Sequence, residues 1–178
     1  MMKTVYRGVL VGLLHLLIVS SLGAKLLYDR ETLPRIWVRT VPVDPNMPIR
    51  GRYVRLQVEM KLRGSRADPG QKGPNGQPQQ VYRRANLSTE DGELVATVDE
   101  QDGSVPIIVR SENANTVTRL REPLAFFIPE HVRDPSQRSA GEELWVEVTV
   151  PKTGPPRPIR LGVKESENPS DPVPLDLN

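Results

Sequence analysis

Between Val54 and Leu62 apolar and polar side chains alternate without a break, with Val54, Leu56, Val58, Met60 and Leu62 on one parity and Arg55, Gln57, Glu59 and Lys61 on the other. A period of two is the period of a strand, so this stretch predicts a strand whose five apolar side chains share one face. The same rhythm returns at Leu144, Val146, Val148 and Val150, and again at Ile159, Leu161 and Val163. Runs rich in β-branched and aromatic residues at 36–43, 105–110 and 123–129 predict further strands. Residues 81–88 and 93–100 flank Asp91-Gly92 and predict a hairpin; the dipeptide supplies the positive φ of a tight turn, and the spacing also permits a longer loop. Between these elements, Asp44 to Pro48 reads as a turn and the Gly/Pro-rich stretch 64–80 as a long polar loop. Seven or eight short strands joined in this way predict an all-β fold, an antiparallel sandwich or an open barrel. The 18 prolines and 13 glycines of the chain point the same way, because both residues interrupt helices.

The N-terminus breaks this rhythm. No charged residue occurs from Gly8 to Ala24, while Lys3 and Arg7 precede the run and Lys25 follows it. Seventeen residues at about 1.5 Å each fall slightly short of a hydrocarbon core of ~30 Å, but Val5, Tyr6, Leu26 and Leu27 extend the span and the flanking cations can reach outward. A cleaved signal peptide is the competing reading, with small residues at Val19-Ser20-Ser21 and Ser21-Leu22-Gly23. The run is longer than the ~7 to 15 residues of a signal core, which favours an uncleaved anchor. Lys3 and Arg7 then favour a cytoplasmic N-terminus and an exported, periplasmic domain at the inner membrane. The expected organisation is a membrane anchor over 1–27 in contact with the lipid bilayer through 8–27, a linker over 28–35, a β domain over 36–163 and a disordered tail over 164–178.

Charge narrows the function less than the pI near 9.0 suggests. Setting aside Lys3, Arg7 and Lys25 with the anchor leaves 21 of the 24 basic residues against 22 acidic ones, so the domain is nearly neutral. Nucleic-acid binding needs a concentrated basic face and is not expected. The acidic cluster from Glu90 to Asp102 and the basic stretch from Arg50 to Arg84 read as solvated segments or as two segments that meet in the fold. The chain has no cysteine, which removes disulfides, thiolate metal ligands and a lipidated cysteine.

The stretch from Pro42 to Leu56, with Asp44, Gly51, Tyr53 and Leu56, resembles the GDYXXLXY family of membrane-anchored bacterial proteins. A second segment, Phe126 to His131 with Pro129 and Glu130, is similar to a later aromatic-Pro-Glu part of that family. Arg52 stands where the motif has Asp, and Val58 where it has its final Tyr. The resemblance implies one N-terminal helix followed by a β domain, and it brings no established activity. The strand pattern gives the motif a structural reading: Leu56 and position 58 face the core, Gly51 permits a sharp approach from the proline turn, and Tyr53 lies on the opposite face with Arg55. Arg52, a base in place of an acid, weakens any carboxylate chemistry at that position.

Catalytic readings find few residues to rest on. His131 is the one histidine outside the apolar run, since His15 lies within it, so no histidine cluster is expected to hold a metal, and no cofactor is expected. The segment around Met47-Pro48 is loosely similar to the active-site segments of signal peptidases, but Asn46 occupies the nucleophile's place and leaves no attacking oxygen. Glu130, Glu142, Glu143 and Glu147 could form carboxylate pairs of the kind glycosidases use, although charged strand edges and turns explain them. Asn86-Leu87-Ser88 is a glycosylation sequon in form only. The expected function is therefore an anchored extracytoplasmic interaction domain, a partner of an envelope or integral-membrane protein. An envelope hydrolase built on Glu130 and His131 is the alternative.

Overall fold

A computed structural model describes residues 2–43, 53–64, 80–112, 115–132, 134–166 and 170–177. The chain divides into two compact units, Met1–Leu33 and Pro34–Asn178.

The first unit is the helix α1, Met2–Thr32. The most apolar 18-residue window within its stretch Tyr6–Thr32 has a mean hydropathy of 2.0, and none of that window is buried by protein. Those 27 residues rise about 40 Å at 1.5 Å each, long enough to cross a membrane. The polar side chains inside the run turn back on the helix: Nδ1 of His15 lies 2.8 Å from the Val11 carbonyl oxygen, and the Ser21 hydroxyl donates to the Ile18 carbonyl at 2.8 Å. A lipid surround requires such internal satisfaction of polar groups. Residues 28–32 continue the helix instead of opening a linker, and the Thr32 hydroxyl donates to the Tyr28 carbonyl at 2.8 Å. Asp29, Arg30 and Glu31 are compatible with a helix, and the break comes only at Pro34, which lacks a donor and disfavours helical geometry in the residue before it.

The described residues of the second unit form ten strands: β1 (Arg35–Val43), β2 (Tyr53–Arg63), β3 (Gln80–Glu90), β4 (Glu93–Val98), β5 (Val105–Glu112), β6 (Asn115–Leu120), β7 (Leu124–Phe127), β8 (Glu142–Thr149), β9 (Arg157–Glu165) and β10 (Val173–Pro174). The strand order is β10-β9-β8-β1-β2-β4-β3-β5-β6, and a further pairing of β6 with β2 closes β2, β4, β3, β5 and β6 into a five-stranded barrel. β2 belongs to two sheets. Its first half pairs with β1 on one side, from Thr40↔Val58 to Val43↔Arg55, and with β7 on the other, from Tyr53↔Phe127 to Leu56↔Leu124. Beyond Val58 it takes new neighbours, β6 at Glu59↔Arg119 and Met60↔Thr118 and β4 at Lys61↔Val95. One core fills both parts. Leu56, Val58, Ile107, Val109, Val146 and Leu161 are fully buried, and Met60 and Leu62 pack against them.

The alternation of β2 is therefore met, with Val54, Leu56 and Val58 inside. The Asp91-Gly92 hairpin is a two-residue turn: Glu90 pairs with Glu93, and φ is 49° at Asp91 and 77° at Gly92. Asn86, the residue of the formal sequon, holds the next loop in place, its Oδ1 accepting from the Ser104 amide and hydroxyl, both at 3.1 Å.

The all-β fold expected behind one N-terminal helix is met, and within the second unit four features refine that expectation or depart from it. The five-stranded part is closed, not open, and one of its pairings, β2 with β4, is parallel. A ring of five strands is odd, so strand directions cannot alternate all the way round it, and one parallel pair is unavoidable. β6 was not expected because Thr118, one of its two buried residues, is polar, although its β-branched Thr and Val favour a strand. The tail is packed in its described part: β9 runs on to Glu165, β10 pairs with it at Val173↔Val163, and Leu175 and Leu177 rest on the core. These leucines supply apolar surface that the polar and proline-rich average of the tail conceals. The loop expected over 64–80 lies outside the described residues except at Gly64 and at Gln80, which opens β3.

Gly103 gives a sharp test of this packing. A Cβ there would lie 2.3 Å from the Asp99 carbonyl oxygen and 2.7 Å from the Ala85 nitrogen, both backbone atoms that cannot move aside cheaply. Gly103→Ala is expected to cost at least the ~1–3 kcal/mol typical of overpacking, read as a fall in thermal midpoint. Leu56→Asp places a carboxylate at a fully buried position and is expected to abolish cooperative unfolding, while Leu56→Ala costs about 2–5 kcal/mol.

Candidate functional site

The two segments that carry the motif resemblance, more than seventy residues apart, lie side by side in the fold. β2 and β7 pair in the register Tyr53↔Phe127, Val54↔Phe126, Arg55↔Ala125 and Leu56↔Leu124. The pairing sorts their side chains. Val54, Leu56 and Leu124 turn into the core, and Phe126 packs against it. On the other face Tyr53 and Phe127 form an aromatic pair, with ring centroids 6.1 Å apart and planes inclined at 56°. Tyr53 is half-buried, yet Phe127 is 73% exposed. A phenylalanine so open gains little from burial, and its one ring contact among the described residues is with Tyr53.

Pro129, Glu130 and His131 follow β7 directly and are exposed, in a turn closed by the Val132 amide donating to the Pro129 carbonyl at 3.2 Å. Of the motif residues, Tyr53 thus pairs with Phe127, Pro129 and Glu130 follow Phe127 by two and three residues along the chain, and Leu56 is buried in the core opposite Leu124. Asp44, Gly51 and Arg52 lie outside the described residues. Val58, standing where the motif has Tyr, is fully buried. The other candidate carboxylates are on β8 and serve the sheet: Glu143 pairs with Arg39 at 2.8 Å and Glu147 with Arg160 at 2.6 Å, while Glu142 accepts from the Ser139 amide at 3.2 Å. Among the described residues no group of three or more His, Asp or Glu side chains converges as a metal site would require.

A second site went unnoticed in the sequence. Where β1 parts from β2 to follow β8, the fold leaves a cleft of about 330 Å³, walled by Trp37 and Arg39 of β1 and Trp145 of β8, with Met60 of β2, Leu94 of β4 and Thr118 of β6 among its other lining residues. Both indoles lie on the outward parity of their strands. Trp37 rests on β9 at Gly162, where a Cβ would come within 2.8 Å of its ring, and Arg160 stacks 5.3 Å from its centroid. Lys164 stands 5.2 Å from the ring of Trp145, whose Nε1 donates to Glu143 at 3.3 Å. The signal was present: these are the only two tryptophans of the chain, and the alternation around Leu144 and Val146 already turned Trp145 outward.

A family model of GDYXXLXY proteins matches residues 16–161. The match covers most of the chain, and the chain belongs to that family. No curated protein and no solved structure matches it.

The exposed ring and the core residue beside it on β7 separate recognition from stability. Phe127→Ala is expected to change unfolding free energy by no more than ~0.5 kcal/mol, whereas Leu124→Ala, three residues earlier but buried, costs about 2–5 kcal/mol. Thermal or denaturant unfolding of the two variants measures the difference.

Proposed function

We propose that this GDYXXLXY protein is a signal-anchored interaction domain of the bacterial inner membrane, with its N-terminus cytoplasmic and its β domain periplasmic, and that it binds an envelope or integral-membrane protein through the aromatic patch of Tyr53 and Phe127. The observation that carries the reading is the pairing of the two motif segments, which sets the exposed ring of Phe127 beside half-buried Tyr53 at the surface. Aromatic side chains at a partly desolvated edge are typical anchors of protein interfaces, and Arg55 beside them adds a polar margin. α1 supports the anchoring, and Lys3 and Arg7 ahead of the apolar run support the orientation.

Two measurements test the reading. A reporter active only outside the cytoplasm is expected to be active when fused after Leu177 and inactive when fused before Arg7; the reverse pattern overturns the placement. A photo-crosslinking residue at position 127 is expected to capture a discrete membrane protein in living cells. The same residue at Tyr82, which is 56% exposed on β3 in the barrel, serves as the control and is expected to capture none. Equal capture at both positions removes the case for the aromatic patch.

A further inference from the structure

We infer that the cleft between β1, β2, β4 and β6 binds an uncharged sugar ring. Three observations lead to this ligand class. The first is charge. The ionic side chains on the lining are matched within the protein: Arg39 with Glu143 at 2.8 Å, Glu59 with Arg119 at 2.8 Å, and Lys61 with Glu93. The lining thus presents its charges in balanced pairs, with no excess of either sign to draw a charged ligand, and a neutral one fits the cleft better. The second is the lining itself. Two indoles, Met60 and Leu94 offer apolar surface suited to the C–H faces of a sugar, and the paired ions at the margin offer donors and acceptors to its hydroxyls.

The third observation is Thr118. Its side chain is only 1% exposed, it lines the cleft, and its hydroxyl has no hydrogen-bond partner among the described residues. A buried hydroxyl left unpaired is costly; this one is shielded from solvent, so a ligand hydroxyl pairs with it only as the lining shifts to admit the ligand, and it can then both donate to it and accept from it. A purely apolar occupant would leave it unpaired. With a volume of about 330 Å³ the cleft is at the small end of ligand sites, which run from ~300 to 1,000 Å³, and suits one or two sugar rings better than a long chain.

The chain reports on this site by itself, because Trp37 and Trp145 are its only tryptophans and both wall the cleft. The experiment is a titration of intrinsic tryptophan fluorescence in the full-length protein, held in a zwitterionic detergent that contains no sugar. Methyl β-glucoside, cellobiose and di-N-acetylchitobiose serve as neutral probes, with glucuronic acid and trialanine as competitors of other chemistry. A saturable spectral shift is expected with at least one neutral sugar and a weaker one, or none, with glucuronic acid and trialanine. Thr118→Val keeps the shape and removes the hydroxyl, so it is expected to leave the thermal midpoint unchanged or raised and to weaken binding by about tenfold. No saturable response to any neutral sugar overturns the assignment. So does unchanged affinity in Thr118→Val, or tighter binding of glucuronic acid or trialanine than of every neutral sugar.

Discussion

The architecture depends on one strand having two sets of neighbours. β2 runs for eleven residues, and its inward side chains, Val54, Leu56 and Val58 buried and Met60 and Leu62 partly buried, follow a line that passes from one sheet into the next. The first half is held between β1 and β7, the second between β4 and β6. Strict alternation is what allows the exchange, because the inward face stays inward while the neighbours change, and a slip of one residue would expose all five apolar side chains at once. The barrel and the sheet of β8, β9 and β10 are thus two continuations of the same core, joined through Leu56 and Val58.

The parting of β1 from β2 follows from that exchange. Once β4 and β6 take the flanks of β2, β1 can pair only with β8, and the space it leaves becomes the cleft under Trp37 and Trp145. Aromatic weight gathers there on a sheet face that is otherwise polar, and it is steadied by Arg160 and Lys164 across the rings and by the bare backbone at Gly162. Individually such contacts contribute about 0.5–1 kcal/mol at exposed sites, so their main effect is to fix where the rings lie.

What was legible in the sequence was whatever the period of two could express. The alternation of β2, β8 and β9 located strands and their inward residues, and Asp91-Gly92 located a hairpin whose loop length only the pairing of Glu90 with Glu93 settles. β6 was lost because one of its two buried positions is filled by Thr118, which leaves Leu120 alone and no apolar alternation to detect. β10 was lost because a two-residue strand has no period to detect. The motif site was half legible. Each segment was recognisable alone, but their meeting depends on the register between β2 and β7, which pattern within one strand cannot reveal. The cleft was less legible still, since it is made where strands separate, and no local rule marks that point.

Closure of the domain also sets an order of events in time. The ion pair of Glu59 with Arg119 joins residues 60 apart, and the Thr40 hydroxyl donates to the Leu144 carbonyl across 104. A chain emerging from its N-terminus therefore presents β1 and β2 well before β6 or β8 exists to cover them. During that interval the most regular apolar face of the molecule stands next to open strand edges, the combination that invites pairing with a neighbouring chain. Loop closure over such distances makes the final step slow relative to hairpins such as β3–β4, which need only local contacts. The strand that organises the finished domain is, while the chain is being made, its most vulnerable part.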